Sequence, residues 1–363
     1  MLLVGAGAAT AVGATALAVA ATALAVAARR WRAADALSEG SPLDLPAGDE
    51  RAVPTADGGA LWVTDTGRRD AEATFVLAHG WTNDRRIWAA VARRLVAHGH
   101  RVVLWDHRGH GRSEVANGGF TLDALADDVR AVLEALDLRG VVLAGHSMGG
   151  MAAQAFAARH PDALAERVRA LALVSTACNG LGGFPGGAAI GRRVMADARL
   201  DRLMASRWAG PALVRNVFGK TVSLGQLRAM TETFVGTRPE ARAGFLTAMI
   251  AMDFAATLAA IDKPVAVMVG TRDRLTPPAH ARRLAALLPQ STLLVFPGAG
   301  HMLPLEVPDD VVDGLEALLE PWAEQAGSAA GQVPLATPLA GRAASAPDAV
   351  TPPAGTAARR APA

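Results

Sequence analysis

The sequence has little cysteine and little lysine. Cys178 is its single cysteine, and Lys220 and Lys263 are the only lysines among 36 basic residues. One cysteine excludes an intramolecular disulfide and a cysteine-based metal cluster. The formal net charge is only +2 and the arginines form no basic stripe, so the charge pattern does not favour nucleic acid as a partner.

Two local patterns also lack the residues that a metal or nucleotide site requires. Asp106, His107 and His110 lie close together in the sequence, but no complete set of zinc ligands lies near them. Residues 180–187 are rich in glycine but lack the Lys-Ser or Lys-Thr pair of a phosphate-binding loop. We interpret the first pattern as a structural loop and the second as a hinge, and we expect neither a metal nor a cofactor.

The N-terminal segment, in contrast, is long and uncharged. Residues 2–28 carry no charge, and Arg29, Arg30 and Arg32 follow directly. A bilayer is spanned by about 20 apolar residues, so we predict a transmembrane anchor at residues 1–28 with the following chain on the cytoplasmic side. Two alternatives remain open, a secretory signal peptide that lacks the usual charged first region and an untranslated leader after a misassigned start codon.

Composition divides the rest of the chain into a folded middle and two polar ends. Residues 29–50 form a polar linker, and residues 323–363 are rich in Ala, Pro, Gly, Ser and Thr without apolar periodicity, which is typical of disorder. Between them, apolar strands alternate with amphipathic helices. This alternation predicts an α/β fold, a mostly parallel sheet covered on both faces, built from residues 51–177 and 263–322.

The periodicity places the elements of this core in order. We predict strands at residues 60–66, 74–78, 101–105, 141–145, 170–174, 264–269 and 292–296. We predict helices at residues 85–98, 122–136, 151–159, 277–288 and 307–322, with Thr121 as the N-cap of the second.

One segment interrupts this alternation. The stretch at residues 178–262 is too long for a simple crossover, so we predict a helical lid inserted over the C-terminal edge of the sheet. Most of its large apolar side chains would pack inside the lid, and others would line an apolar pocket. These side chains are Met195, Met204, Trp208, Leu213, Phe218, Met230, Phe234, Phe245, Met249, Met252 and Phe254.

The clearest chemical signal is in residues 141–150, V-V-L-A-G-H-S-M-G-G. An apolar strand stops at Gly145, Ser147 follows, and a helix is predicted to begin soon after. G-x-S-x-G at such a strand-to-helix turn is typical of a serine nucleophile, whose Oγ is exposed at the tip of a strained turn. Small residues two positions before and after the serine keep the backbone clear of it.

A serine nucleophile needs a base, and the base needs an orienting acid. Asp273 and His301 each lie just past a predicted strand of the sheet. Because parallel strands end at one edge of a sheet, we predict Ser147, Asp273 and His301 as the catalytic residues. Asp253 and Asp262 are alternatives for the acid, but neither has the same place directly after a strand.

An oxyanion would need main-chain donors near the serine. Met148 follows Ser147 directly, and Trp81 lies in the H-G-W sequence just after the predicted strand at 74–78. We therefore predict the N–H groups of Trp81 and Met148 as the oxyanion hole.

Five motifs together resemble those of the α/β-hydrolase superfamily, in its branch of capped serine esterases and lipases. They are H-G-W (79–81), D-H-R-G-H-G-R-S (106–113), G-H-S-M-G-G (145–150), G-T-R-D (270–273) and G-H-M-L-P-L-E-V-P (300–308). The third is similar to monoacylglycerol lipases and to carbon–carbon bond hydrolases. The second resembles epoxide hydrolases and dehalogenases, which carry aspartate in place of the serine, so that chemistry is disfavoured.

This resemblance implies a serine hydrolase of carboxylic esters that works through an acyl-enzyme. The predicted lid and anchor favour a small-molecule ester with an apolar, lipid-like acyl group and association with a membrane through the N-terminus. C–C bond hydrolysis or cofactor-free perhydrolysis by the same three residues is the alternative. A non-catalytic binding protein is disfavoured, because binding alone does not require Ser147, Asp273 and His301 together.

Overall fold

The computed structural model describes residues 41–179, 181–182 and 187–320, and its centre is an eight-stranded sheet. The strands are β1 (Gly48–Pro54), β2 (Ala60–Gly67), β3 (Thr74–Ala78), β4 (Arg101–Trp105), β5 (Val141–His146), β6 (Val168–Val174), β7 (Val265–Gly270) and β8 (Ser291–Phe296). Their order across the sheet is β1-β2-β4-β3-β5-β6-β7-β8. Strands β1 and β2 run antiparallel to their neighbours, and the others are parallel.

Helices cover both faces of this sheet. The first group is α1 (Ala89–Ala97), α2 (Leu122–Ala135), α3 (Met148–Arg159) and α4 (Pro161–Arg167). Between β6 and β7 lie α5 (Ala188–Ala196), α6 (Arg199–Met204), α7 (Ala209–Val214), α8 (Leu224–Val235) and α9 (Pro239–Ala251). The last are α10 (Pro278–Leu287), α11 (Leu303–Glu306) and α12 (Pro308–Glu316).

Alternation of side chains along the central strands explains the two layers of helices. In β3, Val76 and Ala78 belong to the core on one face, whereas Phe75 and Leu77 belong to the core on the other. A strand buried on both faces needs apolar residues at every position, as these strands have. The predicted mostly parallel sheet, covered on both sides, is therefore confirmed.

The boundaries agree with local sequence signals at several places and differ at others. Thr121 caps α2 as predicted, because its side chain accepts the N–H of Ala124. Strand β1 was not predicted. It begins at Gly48, inside the linker predicted for residues 29–50, and Leu43 before it is already buried. An exposed edge strand is held by main-chain hydrogen bonds, so it needs no alternating apolar pattern.

The end of the described chain is more broken than predicted. The helix predicted at 307–322 is present as α12, which Pro308 begins at its first position, and it passes into a 3-10 turn at Ala317–Leu319. The short helix α11 before it was not predicted. The predicted anchor at 1–28 and tail at 323–363 lie outside the described residues. Within the described ranges, no helix has both the length and the apolar character needed to cross a membrane.

The five helices between β6 and β7 form a helical insertion (residues 187–262) that is tied to the loops of the core. Helix α9 packs against α5 and also contacts α2. The N–H of Arg238 donates to the Gly109 carbonyl at 3.0 Å, and the indole Nε1 of Trp81 donates to the Arg242 carbonyl at 3.1 Å. The insertion is thus joined to the loops that follow β3 and β4.

The loop after β4 is held by a buried ion pair. Arg108 donates from Nε and Nη2 to the two carboxylate oxygens of Asp128 on α2, at 2.7 and 2.6 Å. Its Nη1 also donates to Asp57 at 2.7 Å, in the turn between β1 and β2. The side chains of Arg108 and Asp128 are only 1% and 0% exposed, so each charge depends on the other for compensation.

We expect Asp128→Ala to lower the free energy of unfolding by about 3–5 kcal/mol, because it leaves the Arg108 guanidinium buried with only one carboxylate. Urea unfolding followed by circular dichroism measures this change. The matched control is Glu134→Ala on the same helix, where Glu134 pairs with Arg130 in solvent. Equal losses in the two variants would contradict the structural role of the buried pair.

Candidate active site

Ser147 occupies the tight turn between β5 and α3. Its φ and ψ angles are 51° and −115°, and residues other than glycine rarely adopt this region of backbone conformation. Two hydrogen bonds hold this strained backbone, from the Ser147 N–H to the Val174 carbonyl at 2.9 Å and from Thr176 Oγ1 to the Ser147 carbonyl at 2.7 Å. The turn places Ser147 at the C-terminal edge of the sheet, as its G-x-S-x-G sequence predicts.

The glycines of this motif are required by close contacts of the backbone. A Cβ atom at Gly145 would lie 2.3 Å from the carbonyl oxygen of Gly149. A Cβ atom at Gly149 would lie 2.4 Å from the carbonyl oxygen of Ala78, at the end of β3. The turn therefore fits against the sheet only with glycine at both positions.

Asp273 and His301 form a buried hydrogen-bonded pair. His301 Nδ1 lies 2.9 Å from Asp273 Oδ2, which also accepts the hydroxyl of Thr276 at 2.8 Å. The other oxygen, Oδ1, accepts the N–H groups of Leu275 and Thr276, both at 2.9 Å. Burial raises the pKa of the Asp273 carboxyl, but His301 and the Thr276 hydrogen bonds outweigh it and hold that pKa below its usual value.

The two alternative acids make other contacts. Asp253 is exposed and accepts the N–H of Ala255, and Asp262 accepts the side chain of Gln290. Among the described residues, no hydrogen bond joins either of them to His301. The geometry therefore brings Asp273, and neither alternative, to the histidine.

His146, which precedes Ser147, forms a hydrogen bond with the main chain of His301. Its Nε2 lies 2.8 Å from the His301 carbonyl oxygen, so this nitrogen carries the proton. Burial and the nearby His301 lower the pKa of His146 to about 3, which keeps the ring neutral.

Glu306 is the residue that sequence analysis missed. Its Oε2 accepts the N–H groups of Gly219 at 2.7 Å and Gly300 at 2.9 Å, and Oε1 accepts that of Met302 at 3.0 Å. Burial raises the pKa of Glu306, and these three hydrogen bonds oppose the rise. The carboxylate thereby joins α11, the loop that carries His301, and the helical insertion. Its one sequence signal is an acidic residue within the apolar stretch L-P-L-E-V-P.

The two predicted oxyanion donors lie on either side of the serine turn. No hydrogen bond between described residues uses the main-chain N–H of Trp81 or Met148. The carbonyl of Trp81 is held by Asn83 Nδ2 at 2.9 Å. A Cβ atom at Gly80 would lie 3.2 Å from the Ser147 Cβ, which shows how closely this loop passes the serine.

Ser147, His301 and Trp81 all line one cavity of about 730 Å³. Its walls are mostly apolar, and most of the apolar lining residues come from the helical insertion. Five side chains predicted as pocket candidates line it, namely Met204, Leu213, Met230, Phe234 and Met249. Three others are buried without lining it, namely Phe218, Phe245 and Met252.

The loop with Asp106, His107 and His110 has a structural role. Asp106 pairs with Arg85 at 2.8 Å, and the N–H of His107 donates to His79 Nε2 at 2.8 Å. Burial lowers the pKa of His107 to about 3 and that of His110 to about 4. In the described part of the chain, no group of three or more His, Cys, Asp or Glu side chains could hold a metal ion.

Comparison with known proteins gives a matching family model and relatives that this chain covers almost completely. The family model described as serine aminopeptidase, S33 (Hydrolase_4) matches residues 69–308. The non-heme chloroperoxidase of Streptomyces lividans is 34% identical over 255 residues, which cover 69% of this chain and 92% of that protein. The bifunctional esterase/perhydrolase DCH of Acinetobacter calcoaceticus is 32% identical over 265 residues, which cover 69% and 93%.

A solved structure is also similar to this chain. The thermophilic esterase of Thermogutta terrifontis, in its malate-bound form, is 29% identical and superposes with a TM-score of 0.63. The match covers 75% of this chain and 98% of that one.

We expect Glu306→Ala to slow the reaction of Ser147 with a fluorophosphonate probe about ten- to a hundredfold, because a displaced base activates the serine poorly. Covalent labelling measured against time gives this rate. Glu306→Gln should recover part of it, since the amide keeps one acceptor oxygen.

The control for this change is Glu316→Ala on α12, where Glu316 pairs with His98 and His100 near the surface. That variant should label at the wild-type rate. If Glu306→Ala also labelled at the wild-type rate while unfolding more easily, the carboxylate would stabilise the fold without positioning His301.

Proposed function

The chain belongs to the serine aminopeptidase, S33 family of α/β hydrolases, and on this basis we propose that it is a serine hydrolase that cleaves carboxylic esters. The observation that carries the proposal is the Asp273–His301 hydrogen bond, at a cavity that Ser147 also lines. A strained serine that lines the same cavity as an oriented histidine fits the arrangement that acyl transfer requires. Relatives that are named esterases support the same chemistry.

The proposed reaction proceeds through an acyl-enzyme. Ser147 Oγ attacks the ester carbonyl carbon while His301 takes the hydroxyl proton, and His301 then gives this proton to the leaving alcohol. Water attacks the acyl-enzyme with His301 as base, which releases the acid and restores Ser147. Asp273 holds the imidazole through Nδ1 and stabilises its protonated form. The N–H groups of Trp81 and Met148 would bind the oxyanion at each step.

The cavity supports an ester with an apolar acyl group. Its walls combine Met, Leu, Val, Ile and Phe side chains from the helical insertion with few polar groups.

We further propose that the uncharged segment at residues 1–28 holds the enzyme at a membrane with its hydrolase domain in the cytoplasm. Fractionation of cells that express the full chain or residues 41–363 tests this, and equal solubility of the two would refute it.

Perhydrolysis is a second candidate, because two of the relatives are named as a non-heme chloroperoxidase and an esterase/perhydrolase. In this reaction hydrogen peroxide replaces water in the attack on the acyl-enzyme and the product is a peracid. His301 would accept the peroxide proton as it accepts that of water. The same serine, acid and base serve both reactions, so the attacking molecule alone distinguishes them.

We expect Ser147→Ala to lower kcat/KM for p-nitrophenyl esters at least about a thousandfold, because the nucleophile and base act as a unit. The assay uses a series from acetate to palmitate, and the best chain length measures the acyl part of the cavity. Cys178→Ala is the control, since that thiol is buried, does not line the cavity and should be dispensable.

Peracid formed from the same esters in hydrogen peroxide, and lost in Ser147→Ala, would add perhydrolysis to the activity. Ester turnover that persists in Ser147→Ala would remove this serine from the mechanism. A folded protein that cleaves no ester and does not label with a fluorophosphonate would refute the hydrolase.

A further inference from the structure

One charged side chain lines the mostly apolar cavity, and the proposed reaction does not use it. Among the described residues that line the cavity, Arg274 is the only one with a permanent charge, and none is Asp or Glu. We propose that Arg274 selects esters whose end remote from the scissile bond carries an anionic group, with a free carboxylate as the simplest case. This inference rests on the proposed function, since it names the substrate class of the same site.

The backbone fixes Arg274 relative to the catalytic residues. It follows Asp273 directly, and the N–H groups of the next two residues, Leu275 and Thr276, donate to the Asp273 carboxylate. The chain therefore turns tightly around that carboxylate, with Asp273 buried towards His301 and Arg274 exposed at the mouth of the cavity. A substrate held by Arg274 is thereby placed in a defined position relative to the base.

The guanidinium has most of its hydrogen-bonding capacity free. Its one hydrogen bond runs from Nη1 to Asn216 Oδ1 at 3.3 Å, and it forms no ion pair with any described residue. A guanidinium has five N–H donors, so a carboxylate could bind in bidentate fashion. In contrast, Arg108 and Arg242 are buried and each is already paired with a carboxylate.

The surroundings of Arg274 favour an anion over a neutral group. Leu213 and Leu275 line the same cavity and are 52% and 51% exposed, so the guanidinium lies beside an apolar rim. His280 adds a further hydrogen-bond donor at the cavity, and no carboxylate among the described lining residues would repel an incoming anion. An apolar chain with an anionic end thus matches the apolar walls and the charged mouth together.

The test compares p-nitrophenyl esters of equal chain length that end in a carboxylate or in a methyl group. The pairs are the monoesters of adipate, suberate and sebacate against hexanoate, octanoate and decanoate. The measured quantity is the ratio of kcat/KM within each pair. We expect the wild-type ratio to peak at one length and Arg274→Ala to lower that peak about two- to fivefold, the range for an ion pair at an exposed site.

Two further variants define the cause of this change. Arg274→Lys should keep part of the preference, because the charge remains but the bidentate fork is lost. Arg272→Ala is the matched control, since Arg272 lies on the same loop and is exposed but does not line the cavity. It should leave the ratio unchanged. Salt at about 0.5 M should reduce the wild-type ratio and leave that of Arg274→Ala unchanged.

Outcomes against the inference are distinct from failure of the esterase itself. If Arg274→Ala leaves the ratio unchanged at every chain length, the inference is overturned. This holds even if kcat/KM falls for the carboxylate-ended and the methyl-ended esters alike. Ser147-dependent cleavage of the neutral esters tests the proposed function separately. If no ester is cleaved, the inference is tested by calorimetric binding of monomethyl suberate to the Ser147→Ala variant. We expect the double variant with Ser147→Ala and Arg274→Ala to bind this ligand more weakly. Equal binding by the two variants would refute the inference.

Discussion

The close approach of the β5–α3 turn to the neighbouring strands is the constraint on which the rest of the site depends. Gly149 lies against the carbonyl at the end of β3, and Ser147 adopts a positive φ that Val174 and Thr176 hold in place. Because the turn contacts the ends of β3 and β6, the loops that follow the neighbouring strands have little freedom around it. The loop after β3 carries Trp81, and the loops after β7 and β8, the two strands beyond β6, carry Asp273 and His301.

The helical insertion takes part in this positioning as well as forming the cavity walls. The Glu306 carboxylate binds Gly219 of the insertion and Gly300 beside His301 at the same oxygen. On the other side, Trp81 donates its indole N–H to α9. A displacement of the insertion would therefore be transmitted both to His301, the proposed base, and to the loop that carries a proposed oxyanion donor.

Sequence alone predicted the sheet, because strands buried on both faces must be apolar at every position. It also placed Ser147, Asp273 and His301 at strand ends, where the structure brings the last two together. It could not predict β1, whose contacts are main-chain hydrogen bonds at an exposed edge. Glu306 was missed for a related reason. Its partners are N–H groups, one of them 87 residues away, and such contacts leave no pattern in side-chain type.

The methionines in the cavity wall have a consequence for how this enzyme could diverge. Met204, Met230 and Met249 come from three different helices of the insertion and all line the cavity. Unbranched, polarizable side chains of this kind tolerate exchange for others of similar volume at small cost in stability. The serine turn permits no such exchange, since even one added carbon at Gly149 meets backbone. Mutation can therefore reshape the substrate range while the reaction stays fixed, so duplicated copies of the gene would differ first in what they accept.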